Sequence, residues 1–210
     1  MPILFKSIIP SSLRLKQCDH CFDIPYPSYF PYASSVRKYK KIIQMKKNLI
    51  EKISSKINGV VSDIDGVLTN GEIVYSSGGE ELKSFNVKDG SSIKRLQEID
   101  IKIALISGRK SKTNRRRAKE LNIKHIAEST KNKKVALDKL IENGFPSSNI
   151  CVIGDDIQDL EMFRHPSVTL KISVNDAHPD VINVADFVTV RNGGEGIMVE
   201  VSELLIKSKA

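Results

Sequence analysis

Short apolar runs alternate with stretches of helical periodicity from about residue 59 to the end of the chain. The apolar runs predict a first strand that begins at residue 60 and has carboxylates at its carboxyl end, and further strands at 101–106, 124–127, 150–153, 168–174 and 187–190. Apolar residues at helical spacing predict helices at 91–98, 112–121, 131–143, 157–163 and 196–207. Two extended segments, 72–75 and 81–86, flank a Gly-rich turn and predict a β-hairpin. This alternation predicts an α/β fold, a Rossmann-like parallel sheet with helices on both faces.

Carboxylates follow the first of these apolar runs. Asp63 and Asp65 are two residues apart, so in a strand both would point to the same side. Ser107 and Asp155 follow two later strands, and ligands of such sheets bind at the strand carboxyl ends. The pattern therefore predicts a site at this edge. Taken alone, Asp-x-Asp-Gly is also an ordinary turn sequence.

Four segments in order carry a resemblance to the haloacid dehalogenase-like (HAD) phosphatases. They are Asp63-Ile64-Asp65-Gly66-Val67-Leu68-Thr69, Ile106-Ser107-Gly108-Arg109, Lys133, and Gly154-Asp155-Asp156-Ile157-Gln158-Asp159, which resemble the family's motifs I to IV. The resemblance extends from about residue 59 to 205 and is greatest to the 3-deoxy-D-manno-octulosonate 8-phosphate (KDO 8-phosphate) phosphatase family. It implies the HAD-like fold and Mg²⁺-dependent hydrolysis of KDO 8-phosphate to KDO and phosphate, in lipopolysaccharide biosynthesis.

The resemblance also implies roles for the motif residues. Asp63 is the nucleophile that forms an aspartyl-phosphate, and Asp65 is the general acid and base. Ser107 and Lys133 bind the transferring phosphoryl group. Mg²⁺, which prefers about six oxygen ligands, is held by Asp63, Asp155 and the backbone carbonyl of Asp65. Asp159 and Asp156 either hold metal-bound water or stabilise the start of the next helix through its dipole.

A further set of positions is implied to contact the substrate. Basic side chains suit a molecule that carries both a phosphate and a carboxylate. Besides Asp65 and Lys133, the resemblance places here Asn86, Val87, Lys88, Asp89, Gly90, Lys94, Arg109 and Arg117. For Arg117, which lies in a run of three arginines, a solvated helix face is the alternative.

The spacing of the motifs leaves no room for a cap domain. Only the hairpin and one helix fit between Thr69 and Leu105, and one helix and one strand fit between Arg109 and Lys133. The resemblance implies that such a capless enzyme is a homotetramer in which the hairpin and the C-terminal segment reach a neighbour. The Gly-rich stretch 191–196 resembles the start of that segment; the alternative is a simple loop before a helix.

Charge separates the chain into two parts. Eleven of the 33 Lys and Arg residues, but only three of the 25 acidic residues, lie in residues 1–57, so this segment carries the whole net charge of +8. We expect a basic N-terminal extension, disordered or partly helical, over 1–57 and a HAD-like phosphatase domain over 58–210. A neutral catalytic domain does not indicate a nucleic-acid partner. The extension is either a targeting leader or an upstream start before Met45, and we expect residues 1–44 to be dispensable for catalysis.

Other features bound the cellular setting. Three cysteines fit a reducing compartment, and Cys18-Asp19-His20-Cys21 lacks the second ligand pair of a zinc site. Without an apolar run of membrane-spanning length, we expect a cytoplasmic protein without a membrane partner. The remaining alternatives are a nine-carbon keto-acid 9-phosphate phosphatase, a nucleic-acid end phosphatase, and a non-catalytic HAD oligomerisation module. The complete set of Asp63, Asp65, Lys133 and Asp155 argues against the last of these.

Overall fold

The computed structural model describes residues 44, 45 and 47–209. Its strands are β1 (Gly59–Asp63), β2 (Val74–Tyr75), β3 (Glu81–Leu82), β4 (Lys102–Ile106), β5 (His125–Ala127), β6 (Ile150–Gly154), β7 (Val168–Ser173) and β8 (Phe187–Val188). Its helices are α1 (47–54), α2 (Val87–Glu98), α3 (Lys112–Glu120), α4 (Lys133–Glu142), α5 (Leu160–Phe163), α6 (Pro179–Val184) and α7 (Met198–Lys209). A single 3₁₀ turn, Ile157–Asp159, precedes α5.

A six-stranded parallel sheet organises the fold, in the order β5-β4-β1-β6-β7-β8. All five residues of β1 are buried, as expected for a central strand covered on both faces. Asp63 pairs with Ile106 of β4, and Ser62 pairs with Ile153 of β6. This register brings the carboxyl ends of β1, β4 and β6 to one edge, which is where the motif residues follow their strands.

The structure confirms the predicted parallel α/β sheet and changes several element boundaries. Helix α2 begins four residues earlier than predicted, because the Asn86 side chain caps it by accepting from the N–H of Lys88. The hairpin strands are two residues each, and the helix predicted at 157–163 is a 3₁₀ turn followed by α5. Helix α6 was not predicted.

The described residues contain no cap domain. Between β1 and β4 they form the β2–β3 hairpin and α2, and between β4 and α4 they form α3 and β5. The hairpin is a separate two-stranded sheet. Within the part of the chain that the structure describes, no helix is long and apolar enough to cross a membrane.

The packed core begins before residue 58. Ile57 is fully buried, and Ile50 and Ile53 pack against the core from the segment that contains α1. Residues 1–43, including the Cys18–Cys21 segment, lie outside the described residues. The division into an extension over 1–57 and a domain over 58–210 therefore stays a prediction. The packed core, however, already includes residues before position 58.

Candidate active site

Lys133 links two buried carboxylates at the edge of the sheet. It is the first residue of α4, whose N-cap is Asn132, and its ammonium lies 3.0 Å from Asp63 Oδ2 and 2.5 Å from Asp159 Oδ1. Burial by itself lowers the pKa of Lys133, but the Asp63 and Asp159 carboxylates raise it above its ordinary value. Lys133 is therefore a permanent cation within the cluster, whereas its neighbours Lys131 and Lys134 are exposed.

Asp159 is fully buried and holds the loop that follows β6. Its Oδ2 accepts hydrogen bonds from the backbone N–H groups of Asp155 (2.9 Å) and Asp156 (3.1 Å), while Oδ1 accepts from Lys133. Asp156 caps the 3₁₀ turn and accepts from the N–H of Ile157. Asp159 and Asp156 form a reciprocal capping box, in which each side chain accepts from a backbone N–H at the beginning of a helical segment.

Three carboxylates converge beside the Lys133 ammonium. Asp63, Asp155 and Asp159 each offer an oxygen, and these oxygens lie within 4.8 Å of one another. Burial, followed by repulsion from Asp159, raises the pKa of Asp63 to about 7. Burial, followed by repulsion from Asp63, raises the pKa of Asp155 to about 8. Fully ionised, the three carboxylates and Lys133 carry a net charge of −2.

This cluster fits a small divalent cation with oxygen ligands. Asp155 Oδ1 is buried and has no hydrogen-bond partner, which is costly unless another group satisfies it. Gly66, at φ +95°, keeps space beside that carboxylate, since a Cβ at this position would collide with it. Hard oxygen donors around an excess of negative charge are the donor set that suits Mg²⁺.

The side chain of Asp65 contacts different residues from those that the side chain of Asp63 contacts. Because β1 ends at Asp63, the strand geometry from which we expected the two side chains to point to the same side does not apply to Asp65. Asp65 Oδ1 forms an ion pair with the ammonium of Lys83, and Oδ2 accepts a long 3.3 Å hydrogen bond from the Ser107 hydroxyl. Ser107 is fully buried and also accepts from the N–H of Arg109.

The C-terminal Gly-rich stretch packs on the loop of motif I in the same chain. The N–H of Gly194 donates to Val67 O (3.0 Å), and a Cβ on Gly193 would collide with the carbonyl of Gly66. A polar cleft of about 330 Å³ lies next to this contact. It is lined by Asn70, Ser84, Asp176, Asn192, Gly193, Gly194 and Glu195. Helix α7 then packs on α2.

The residues predicted to contact substrate have several environments. Asp89 is buried, and its Oδ1 accepts from the N–H of Met198, so it joins α2 to α7. Arg117 donates to the carbonyl of Asn86 and lies over the Phe85 ring, and a Cβ at Gly90 would be 2.7 Å from its guanidinium. Asn86, Asp89, Gly90 and Arg117 are thus accounted for by packing within the chain.

The other predicted contact positions are exposed. Val87, Lys88 and Lys94 project from α2 into solvent. Arg109, whose side chain is 42% exposed, pairs with Glu81 at 3.0 Å and donates to the Tyr75 hydroxyl at 3.4 Å. Both partners belong to the hairpin, so Arg109 joins motif II to it. Within the described residues, no hydrogen bond or ion pair connects Lys94 to the carboxylate cluster.

Both sequence comparisons find related hydrolases. A family model described as haloacid dehalogenase-like hydrolase matches residues 123–201. The 3-deoxy-D-manno-octulosonate 8-phosphate phosphatase KdsC of Escherichia coli K12 is 39% identical over 139 residues, which are 66% of this chain and 73% of that protein.

Solved structures extend the similarity. The phosphatase of the same description from Moraxella catarrhalis, in complex with magnesium ion, phosphate ion and KDO, has a TM-score of 0.73 at 37% identity, covering 77% of this chain and 92% of that one. Its counterpart from Yersinia pestis has a TM-score of 0.72 at 35% identity, covering 76% and 86%.

Proposed function

This chain belongs to the 3-deoxy-D-manno-octulosonate 8-phosphate phosphatase family of haloacid dehalogenase-like hydrolases, and on that premise we propose that it hydrolyses KDO 8-phosphate to KDO and inorganic phosphate. The observation that carries the proposal is the cluster of Asp63, Asp155 and Asp159 around Lys133 at the edge of the sheet. It supplies a nucleophile, a cation for the phosphoryl group and a metal site in one place.

Hydrolysis takes place in two steps, and the same residues act in both. In the first, the Asp63 carboxylate attacks phosphorus, the bond from phosphorus to the sugar oxygen breaks, and Asp65 gives its proton to that oxygen. In the second, Asp65 takes a proton from water, the water oxygen bonds to phosphorus, and the Asp63 carboxylate is released. Lys133 stabilises the charge on the phosphoryl oxygens, and Ser107 donates to one of them.

Mg²⁺ is the cofactor of this proposal. The Asp63 and Asp155 carboxylates and the backbone carbonyl of Asp65 would hold it, and when bound it neutralises charge on the phosphoryl group. Both oxygens of Asp159 already accept hydrogen bonds, so we assign Asp159 to holding Lys133 and the loop rather than to the metal. The polar cleft beside Asn70 and Glu195 offers amide and carboxylate partners for sugar hydroxyls.

Substrate contacts of the remaining predicted positions belong to the same proposal. Arg109 and Lys88 are exposed cations that can approach the carboxylate of a sugar acid, with Lys94 farther along α2. Asn86, Asp89, Gly90 and Arg117 form the packed base from which α2 presents them. Lipopolysaccharide biosynthesis in the cytoplasm is the setting in which this product is used.

We also propose a homotetramer. Four apolar side chains of the hairpin region are exposed, namely Ile73, Val74, Tyr75 and Leu82, at 47–61%. Apolar residues clustered on a small projecting element indicate a contact surface. Because α7 packs on α2 of its own chain, the hairpin is the element that we expect to reach a neighbour. Light scattering checks this, and a fully active monomer would overturn it.

The test of function is phosphate release from a panel of phosphomonoesters, with Mg²⁺ and with EDTA. KDO 8-phosphate should be hydrolysed with the highest kcat/KM, and only with Mg²⁺. The Asp63→Asn variant is the control for contaminating phosphatases. A higher kcat/KM for a nine-carbon keto-acid 9-phosphate would transfer the assignment to that substrate, and no hydrolysis of any ester would favour a non-catalytic HAD domain.

A further inference from the structure

Lys83 is a buried lysine that the motifs do not include. It directly follows β3 in the hairpin, and its side chain is only 3% exposed. Its ammonium pairs with Asp65 Oδ1 and lies 3.6 Å from Glu81 Oε1. Lysine is almost never fully buried unless it is paired, so these two carboxylates define where the ammonium sits.

Further contacts connect the Lys83–Asp65 ion pair to Arg109 through the hairpin residue Glu81. Glu81 Oε2 accepts from the Arg109 guanidinium at 3.0 Å, and the Arg109 N–H donates to the Ser107 hydroxyl oxygen. Lys83 is therefore held between the hairpin carboxylate on one side and Asp65 on the other. Because a charge-assisted hydrogen bond is about twice as strong as a neutral one, the Lys83 contact on Oδ1 favours one orientation of the Asp65 carboxylate.

The two oxygens of Asp65 are not equivalent in this arrangement. Oδ1 is occupied by the Lys83 ammonium, whereas Oδ2 has only the 3.3 Å contact from Ser107, which is long for an O–H···O hydrogen bond. Oδ2 is thus the oxygen that remains available for proton transfer. Since the Lys83 side chain is buried, it acts on the reaction through Asp65 and not by contact with substrate.

We propose that Lys83 is a positioning residue that holds Asp65 so that Oδ2 transfers the proton in both steps. This inference rests on the proposed phosphatase function. The proton on Oδ2 passes to the sugar oxygen as the phosphorus–oxygen bond to the sugar breaks and the Asp63–phosphorus bond forms. In hydrolysis, Oδ2 accepts a proton from water as the water oxygen bonds to phosphorus and the Asp63–phosphorus bond breaks.

If Lys83 served only to attach the hairpin to the domain, it would make the same contacts. The experiment must therefore distinguish this structural role from the positioning of Asp65. The chemistry of the leaving group does this. A sugar alkoxide is a poor leaving group and needs the Asp65 proton, whereas 4-nitrophenolate leaves without one. Loss of the positioning of Asp65 should therefore affect alkyl phosphates selectively, while loss of an anchor affects both classes equally.

The experiment compares Lys83→Met and Lys83→Arg with wild type on KDO 8-phosphate and on 4-nitrophenyl phosphate, using kcat/KM, which reports the first step. General acid catalysis contributes about 10²–10⁴-fold, so Lys83→Met should lose about 10²-fold or more on KDO 8-phosphate and only a few-fold on the aryl ester. Lys83→Arg, which keeps a cation at Asp65, should recover most of the loss. Lys207→Met, which removes the lysine of an exposed ion pair with Glu203, is the matched control and should lose nothing.

An equal loss on both esters, or no loss on either, would overturn the proposal. If Lys83→Met does not fold, Lys83→Gln, which keeps a neutral donor near Asp65 but removes the ammonium, gives the same comparison. If wild type prefers another alkyl phosphate, the proposed function fails, and that ester replaces KDO 8-phosphate in the comparison. A crystal structure of Lys83→Met decides independently of activity: a rotated Asp65 carboxylate supports the proposal, and an unchanged one refutes it.

Discussion

Replacement of Lys133 by methionine would remove the one cation that, among the residues described, contacts both Asp63 and Asp159. The side chain length is nearly kept, so the change is mainly electrostatic. The ammonium lies 3.0 Å from Asp63 and 2.5 Å from Asp159, and both carboxylates are almost inaccessible to water. The variant would leave the buried carboxylates of Asp63 and Asp159 and the half-buried carboxylate of Asp155 without the Lys133 counter-charge.

The expected loss of stability follows from the buried pair. Removing one partner of a buried ion pair costs about 3–5 kcal/mol. For a domain of this size, each kcal/mol lowers the melting temperature by about 2–4 °C, so the metal-free variant should melt about 6–20 °C below wild type. Mg²⁺ at about 100 times its Kd would restore about 2.7 kcal/mol. The rescue by Mg²⁺ should therefore be partial.

The assay is thermal unfolding at pH 8 in EDTA and in Mg²⁺, together with phosphatase kinetics. Loss of a preorganised charge at the transferring group lowers kcat by about 10²–10³-fold. Lys134→Met is the matched control, because Lys134 is the exposed neighbour on the same helix and should change neither quantity. If Lys133→Met melted together with Lys134→Met in EDTA, the reasoning about the buried cluster would be refuted.

Three further predictions test other parts of the structure. Asp63→Asn should abolish turnover yet melt at or above the wild-type temperature in EDTA, since it removes one repelling carboxylate; residual turnover in a clean preparation would contradict the nucleophile assignment. The folded pKa values of Asp63 and Asp155, about 7 and about 8, are raised from 3.8, so the contribution of these two groups to the stability of the metal-free protein should be fully present below about pH 4 and be lost as the pH rises through 7–8. The melting temperature should be measured in EDTA and in Mg²⁺ across this range. The stabilisation by Mg²⁺ should grow as the pH rises, and a stabilisation that does not depend on pH would count against the metal site. A chain of residues 45–210 should equal the full chain in rate and melting temperature, whereas 58–210, which lacks Ile50, Ile53 and Ile57, should be less stable; a slow or unstable 45–210 chain would show that the first 44 residues matter.

The sheet and the position of the site could be predicted because their signals are local. A buried parallel strand is a short apolar run, and the residue after it lies at the carboxyl edge whatever the rest of the chain does. Asp63 ends β1, and Ser107 and Asp155 directly follow β4 and β6, the two neighbours of β1 in the sheet. All three residues therefore lie at the same edge. The family's motifs then selected these residues among many other acids and serines.

The contacts of Lys83 and the start of α2 could not be predicted in this way. Burial of Lys83 depends on Asp65, 18 residues earlier, and a lysine directly after a two-residue strand has no pattern that separates a buried from a solvated side chain. Gly90 lies in the first turn of α2, before the predicted helix start at residue 91, and it provides room there for Arg117. Such pairings between distant segments have no local signature.

The Gly193–Gly194 contact with the motif I loop has a consequence for synthesis of the chain on the ribosome. The loop with Asp63 and Asp65 is translated early, but the backbone that packs on it, at Gly194, emerges 127 residues after Val67. Domains generally fold as units during translation, at about 5–20 residues per second. The nascent chain can therefore form its first strands well before its catalytic loop is supported. A message truncated between Asp159 and Gly193 would yield a polypeptide with motifs I to IV and without a completed catalytic loop.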